Sequence, residues 1–120
     1  IGKAGKDMLT GGLGGDTFVF DHLPIGTLNN DTITDFVSGT DKLEFAKSVF
    51  TGLAGTSADF VAGAGLFIAK TTDQHLIYNT TSGILYYDAD GSGSAIAAVA
   101  VALIGTTTHP TLTAGDFLFV

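Results

Sequence analysis

The chain of 120 residues contains no cysteine. That excludes disulfides, cysteine-ligated zinc and thiol catalysis. A small domain without disulfides needs another staple, and a bound metal is the natural substitute. Arginine is also absent, and Glu44 is the only glutamate, so eleven of the twelve acids are aspartate. The net charge of −7 argues against nucleic acid, which asks for a basic patch, and against an anionic membrane surface. No apolar run approaches the roughly 20 residues of a membrane span; the longest, Ala95 to Ile104, is about half that. Zinc-protease H-E-x-x-H and esterase G-x-S-x-G patterns are missing. The carboxylate pairs lack the apolar surroundings that would raise a pKa for acid catalysis. His22, His75 and His109 show no metal spacing. No catalytic residue is expected.

What the chain does have is a nine-residue pattern, G-x-x-G-x-D-x-apolar-x, written twice between residues 2 and 19. Gly2, Gly5, Asp7 and Leu9 in the first copy align with Gly11, Gly14, Asp16 and Phe18 in the second, and Gly12 doubles the opening glycine of the second. Each position has its own physical task. Glycine adopts positive φ at little cost and leaves its carbonyl unscreened. Aspartate sets a hard anionic oxygen beside those carbonyls. The apolar residue two positions later points inward. Carbonyl and carboxylate oxygens, about six to eight per ion, are the ligands of calcium. Aspartate is also the acid of turns, so its excess over glutamate fits a demand for divalent cations.

This pattern resembles the RTX, or hemolysin-type, calcium-binding repeat of secreted bacterial proteins. The segment D-x-I-x-D-F followed by G-x-D-K-L, over Asp31 to Leu43, is similar to the post-repeat segment of serralysin-type tails. The terminal Leu112–Val120, an acid before four apolar residues, is similar to the uncleaved export signal of type I secreted proteins. The resemblance implies an all-β fold: a short parallel β-roll stub followed by an antiparallel, sandwich-like cap. It implies calcium held by Gly2, Gly5, Asp7, Gly11, Gly12, Gly14 and Asp16. It carries a ligand role to Asp31, with Asp21 as the nearest upstream acid, although the spacing of Asp21 differs from the family's usual one. Asp35 reads equally as a ligand or a turn cap. In such a roll each ion bridges neighbouring coils, two repeats apart. Without it, two carboxylates about 5 Å apart would repel by roughly 3 kcal/mol at an effective dielectric near 20, and the glycines would resist ordering.

Three zones follow. Residues 1 to about 20 are repeats, giving one coil that cannot bury its own faces and must stack on repeats upstream or on a cap downstream. Residues 21 to 45 form the cap, so 1–45 reads as one unit and 46–120 as a second region continuous with it. In the second region, His75–Tyr78 and Ile84–Tyr87 flank a glycine-containing five-residue loop and predict a hairpin. Ala95–Ile104 is a central strand or an alanine-rich helix, with Val99 and Val101 favouring strand. Ser57–Gly63 can hold one helical turn. Thr113 caps a short turn ending near Asp116, and a last strand follows. Asp88-Ala89-Asp90-Gly91-Ser92-Gly93 matches positions one, three, five and six of the calcium loop D-x-D-x-[DNS]-G, or reads as an Asp/Gly-rich hairpin turn; the glutamate expected at position twelve is Val99.

The expected function is a calcium-binding, non-catalytic C-terminal module of a longer secreted protein. Its partners would be calcium, upstream repeats and a type I export apparatus, and it would be extracellular. The alternative is an adhesion or ligand-binding β module that calcium merely rigidifies. Exposed rings at Tyr78, Tyr86 and Tyr87 would favour that reading.

Overall fold

The computed structural model describes residues 7–22, 31–66, 69–91 and 98–120. Its strands are β1 (Met8–Leu9), β2 (Thr17–Phe20), β3 (Asp31–Ile33), β4 (Lys42–Phe45), β5 (Phe60–Gly63), β6 (Leu76–Asn79), β7 (Ile84–Tyr87), β8 (Val99–Ile104) and β9 (Phe117–Phe119). One sheet runs β1-β3-β8-β7-β6-β5 and the other β2-β4-β9. Two single turns of 3-10 helix, Ser57–Asp59 and Ala114–Asp116, precede β5 and β9. The all-β expectation holds. No helix among the described residues is long and apolar enough to cross a membrane.

Successive strands alternate between the two sheets: β1 then β2, β3 then β4, β8 then β9. The pairings β1–β3, β3–β8, β2–β4 and β4–β9 are all parallel. This is a roll of three coils, with β5, β6 and β7 inserted between the second and the third. Residues 46–120 therefore do not form a purely antiparallel cap. Among the described residues, antiparallel pairing is confined to β6–β7 and β7–β8, while β8 and β9 continue the two parallel sheets that the repeats begin. The hairpin expected around residues 79–83 is present, Val99–Ile104 is a strand, and the Thr113 turn leads into β9 as read from sequence. Residues 95–97 lie outside the described set.

Period-two alternation explains the core. In β2, Phe18 and Phe20 point inward; in β4, Leu43 and Phe45; in β7, Leu85 and Tyr87. Both sheets contribute to one apolar cluster with Ile33, Phe50, Leu76, Tyr78, Ile104 and Phe117. Register sets Phe20 opposite Phe45 and Phe45 opposite Phe119. The Phe20 and Phe45 rings stack at 5.0 Å, and Phe50 meets Phe45 edge-on at 4.9 Å. Such pairs add about 0.5–1.5 kcal/mol each beyond area burial. They lock the coils in register.

Candidate metal centre

The same alternation places each repeat aspartate. In D-x-apolar, the acid and the apolar residue share a face, so the carboxylate lies inward at the strand's leading end. Asp7-Met8-Leu9 and Asp16-Thr17-Phe18 show this in the first coil. The second coil repeats it, because Met8 pairs with Thr32 and Thr17 with Lys42, setting Asp31 beside Asp7 and Asp41 beside Asp16. The coils are therefore 24 and 25 residues apart at these two edges, not the 18 of two strict nonapeptides. The segment between Phe20 and Asp31 accounts for the extra length.

Contacts between the coils are made by carboxylates accepting backbone amides. Asp31 Oδ1 accepts the Asp7 N–H at 3.0 Å. Asp35 accepts the Gly11 and Gly12 N–H groups, at 2.9 Å on Oδ1 and 2.7 Å on Oδ2. Asp41 Oδ1 accepts the Asp16 N–H at 2.9 Å. The turn from residue 10 to 16 carries glycines for two distinct reasons. Gly12 and Gly14 sit at φ 90° and 87°, where a Cβ is strained. At Gly11 the obstacle is contact: a Cβ there would stand 2.5 Å from Asp16 Oδ2 and 2.9 Å from Asp16 Cβ. The Asp16 carboxylate thus lies directly over the Gly11 backbone.

Two oxygens are left over. Asp7 Oδ2 and Asp16 Oδ2 are buried and, among the described residues, accept no hydrogen bond. A buried carboxylate oxygen without a partner is costly, and a hard cation is its usual remedy. Asp16 and Gly11 also line an open cavity of about 410 Å³ with Leu9, Thr10 and Phe18, at the end of the roll where β1 and β2 are the outermost strands. Donor type, orphaned oxygens and the glycine cradle fit calcium. Against that, no three aspartates, glutamates or histidines converge among the described residues, so any ion here must draw most of its ligands from backbone carbonyls.

The electrostatics differ between the two edges. Burial pushes the Asp31 carboxyl above the ordinary range; the Asp7 N–H partly offsets this, and the Asp7 charge adds to the rise. Like charges thus meet at the edge holding an orphaned oxygen. The Asp35 carboxyl is held below the ordinary range by the Gly11 and Gly12 N–H groups.

The remaining candidates are placed as follows. Gly2 and Gly5 lie outside the described residues. Asp21 follows β2 and pairs with half-exposed His22 at 2.6 Å. Asp88 is buried, and Asp90 sits two residues on in the same turn, its N–H 3.3 Å from Asp88 Oδ1. Burial raises the Asp88 carboxyl to about 6, helped by hydrogen bonding and charge from Asp90. Ser92 and Gly93 of that loop fall outside the described residues. Tyr78 and Tyr87 are core residues, at 0% and 4% exposure, and Tyr86 is half-buried. The Tyr78 and Tyr87 hydroxyls donate to the carbonyls of Pro110 and Thr51, respectively. They form no exposed aromatic platform, because inward positions of a two-sheet core recruit the largest rings.

Sequence reasoning missed three acids as structural ligands of the backbone. Asp41, Asp59 and Asp116 are all buried. Asp59 accepts the N–H groups of Ala54, Gly55 and Thr56. Asp116 accepts the Gly39 N–H, the Ser38 hydroxyl and the Thr113 N–H. Burial works to raise the Asp116 carboxyl, but these donors prevail and hold it below the ordinary range. The available signal was T-x-x-D at 56–59 and 113–116, a capping-box spacing with aspartate in place of glutamate.

No curated protein and no solved structure matches the chain. Residues 1–119 match the family described as Peptidase M10 serralysin C terminal, and the chain therefore belongs to that family, whose domains are the non-catalytic C-terminal part of secreted serralysin-type metalloproteases and generally bind calcium.

Proposed function

We propose that this chain binds calcium through its first coil and uses the ion to order that coil outside the cell. The observation that carries the reading is the pair of buried oxygens, Asp7 Oδ2 and Asp16 Oδ2, that accept no hydrogen bond among the described residues. Asp7 and Asp31 would hold an ion at one edge. Asp16, with carbonyls of the Gly11, Gly12 and Gly14 turn, would hold one at the other, beside Asp35. Gly2, Gly5 and Asp21 complete the proposed ligand set, and the loop at Asp88 and Asp90 is a weaker further site. The ion supplies the positive charge that the glycine turn lacks.

Sites of extracellular grade, on the order of 10⁻⁴–10⁻³ M, stay empty in the cytosol. The chain would then pass a type I exporter unfolded, led by its uncleaved C-terminal segment, and fill with calcium outside. Calcium at about 100 times its Kd stabilises the folded state by about 2.7 kcal/mol. The outer edges of β1 and β2 would receive the strands of upstream repeats, and residues 1–45 and 46–120 would fold as one unit, since strands of both share two sheets. The parent protein would be a secreted metalloprotease or a related enzyme, and this chain its folding aid.

Calorimetric titration of calcium into the chelator-stripped chain tests the reading, with far-UV circular dichroism alongside. Heat of binding and a gain in β signal are expected. Both should shrink when Asp7→Asn and Asp16→Asn are combined. A flat titration with an unchanged spectrum rejects calcium binding.

A further inference from the structure

Three buried acids beyond the first coil, Asp41, Asp59 and Asp116, differ from Asp7 and Asp16 in one respect. Asp59 and Asp116 are each 1% exposed, and both oxygens of each are engaged: Asp59 by three backbone amides, Asp116 by Gly39, Ser38 and Thr113. Asp41, 2% exposed, takes the Val37 N–H on Oδ2 at 2.8 Å and the Asp16 N–H on Oδ1. A carboxylate surrounded by amide donors needs no cation, because the donors themselves stabilise its charge. It also closes the turn that a metal would otherwise close. Asp116 does so across coils, holding the 38–39 turn of the second coil against the start of β9. Apolar burial is divided the same way. Among the described residues, the first coil supplies Phe18 and Phe20 to the core cluster, with Leu9 packed at the margin.

We infer that Asp41, Asp59 and Asp116 act as hydrogen-bonded replacements for metal ions, so that the fold from residue 31 onward stands without the calcium of the first coil, and that calcium governs only residues 7–20. This rests on the proposed calcium site in the first coil. Asp41 is the boundary: when the first coil is released, it keeps Val37 and yields its other oxygen to water. The released coil exposes the upper edges of β3 and β4, which makes the metal-free chain a partly folded species with two open strand edges.

Amide hydrogen exchange on the full chain by NMR separates the two halves. The N–H groups of Thr32, Thr34, Lys42 and Ala46 donate to carbonyls of Asp7, Leu9, Asp16 and Phe20. Those of His75, Asp88, Gly105 and Val120 donate to carbonyls of Asp59, His75, Ile33 and Phe45. In chelator the second set should remain protected while the first exchanges freely. Calcium at about 100 times Kd should slow the first set about 100-fold and leave the second nearly unchanged. Asp7→Asn combined with Asp16→Asn should abolish the response of the first set and spare the second. If both sets exchange freely in chelator and slow together with calcium, the ion folds the whole chain; calcium binding then survives and the division drawn here is overturned. If both sets are protected in chelator and calcium changes neither, the division falls together with the calcium reading.

Discussion

Replacing Asp41 by alanine removes the acceptor of two backbone amides, Asp16 N–H at 2.9 Å and Val37 N–H at 2.8 Å. The site is 2% exposed, so water reaches it poorly. Hydrogen bonds to a charged group contribute about 1.5–3 kcal/mol each, which sets a ceiling of about 6 kcal/mol. Two effects lower that figure. Alanine relieves the cost of burying a charge, and the turn can open enough to admit water to one amide. A net loss of about 3 kcal/mol remains, a large share of the 5–15 kcal/mol typical of a domain. Unfolding entropy of about 2.1 cal/mol/K per residue gives about 0.25 kcal/mol/K for a chain of this length, so the melting temperature should fall by about 12 °C. Thermal melts followed by circular dichroism, run in saturating calcium so that the first coil is ordered and both amides are engaged, measure it directly. Asp73→Ala, at an exposed position, is the control and should cost less than about 0.5 kcal/mol. Equal melting temperatures for the two variants would show that the buried carboxylate is not a staple, and the physical account of the later coils would fail with it.

Gly11→Ala forces a Cβ to within 2.5 Å of Asp16 Oδ2; relieving that overlap should cost about 1–3 kcal/mol and weaken calcium binding at least about tenfold, read by calcium titration, with an unchanged Kd counting against the Asp16 turn as the site. Asp88 has its carboxyl raised to about 6, so the folded chain holds this proton more tightly than the unfolded one, and stability is lost as pH rises from about 4 to about 6. At 1.36 kcal/mol per unit the loss is up to about 3 kcal/mol, and Asp88→Asn should remove that slope from urea denaturation series across the same range. Tyr78 has its phenol pushed up to about 12 by burial, and burial raises Tyr87 as well, so ultraviolet difference titration should show late tyrosine ionisation that Tyr78→Phe reduces. Tyr78→Phe leaves the Pro110 carbonyl without its 2.7 Å partner and should cost about 1 kcal/mol in the same melts.

Local periodicity was the legible part of this chain. D-x-apolar told where strands begin, because acid and apolar residue must share a face. Flanking turn residues told where the 76–87 hairpin closes, and Thr113 with Asp116 told how β9 starts. Distances between coils were not legible. The strict nonapeptide gives 18 residues per coil, yet Met8 pairs with Thr32 and Thr17 with Lys42, since the extra residues of the sequence lengthen the coil without disturbing either strand. The pairing of Leu43 with Phe117 spans the whole β5–β7 insertion. No local signal announces it; it follows from the phenylalanines of β2, β4 and β9 needing one another's faces.

The role of each aspartate was equally hidden, and for a physical reason. Residue type states only that an anionic oxygen is present near a turn. Whether that oxygen calls for a cation depends on how many amides the neighbouring turn can aim at it. Asp59 and Asp116 stand at the third position of a 3-10 turn, where the Thr56 and Thr113 N–H groups already point at the carboxylate, and further donors complete the set. Asp16 faces the other way, over Gly11, toward the outer end of the roll, where no described amide meets its Oδ2. One short acidic side chain thus serves as a staple in one coil and as an open ligand in the next. The change of role is set by the amides within reach: the 54–56 turn aims three at Asp59, Gly39 and Thr113 aim theirs at Asp116, and among the described residues none meets Asp16 Oδ2.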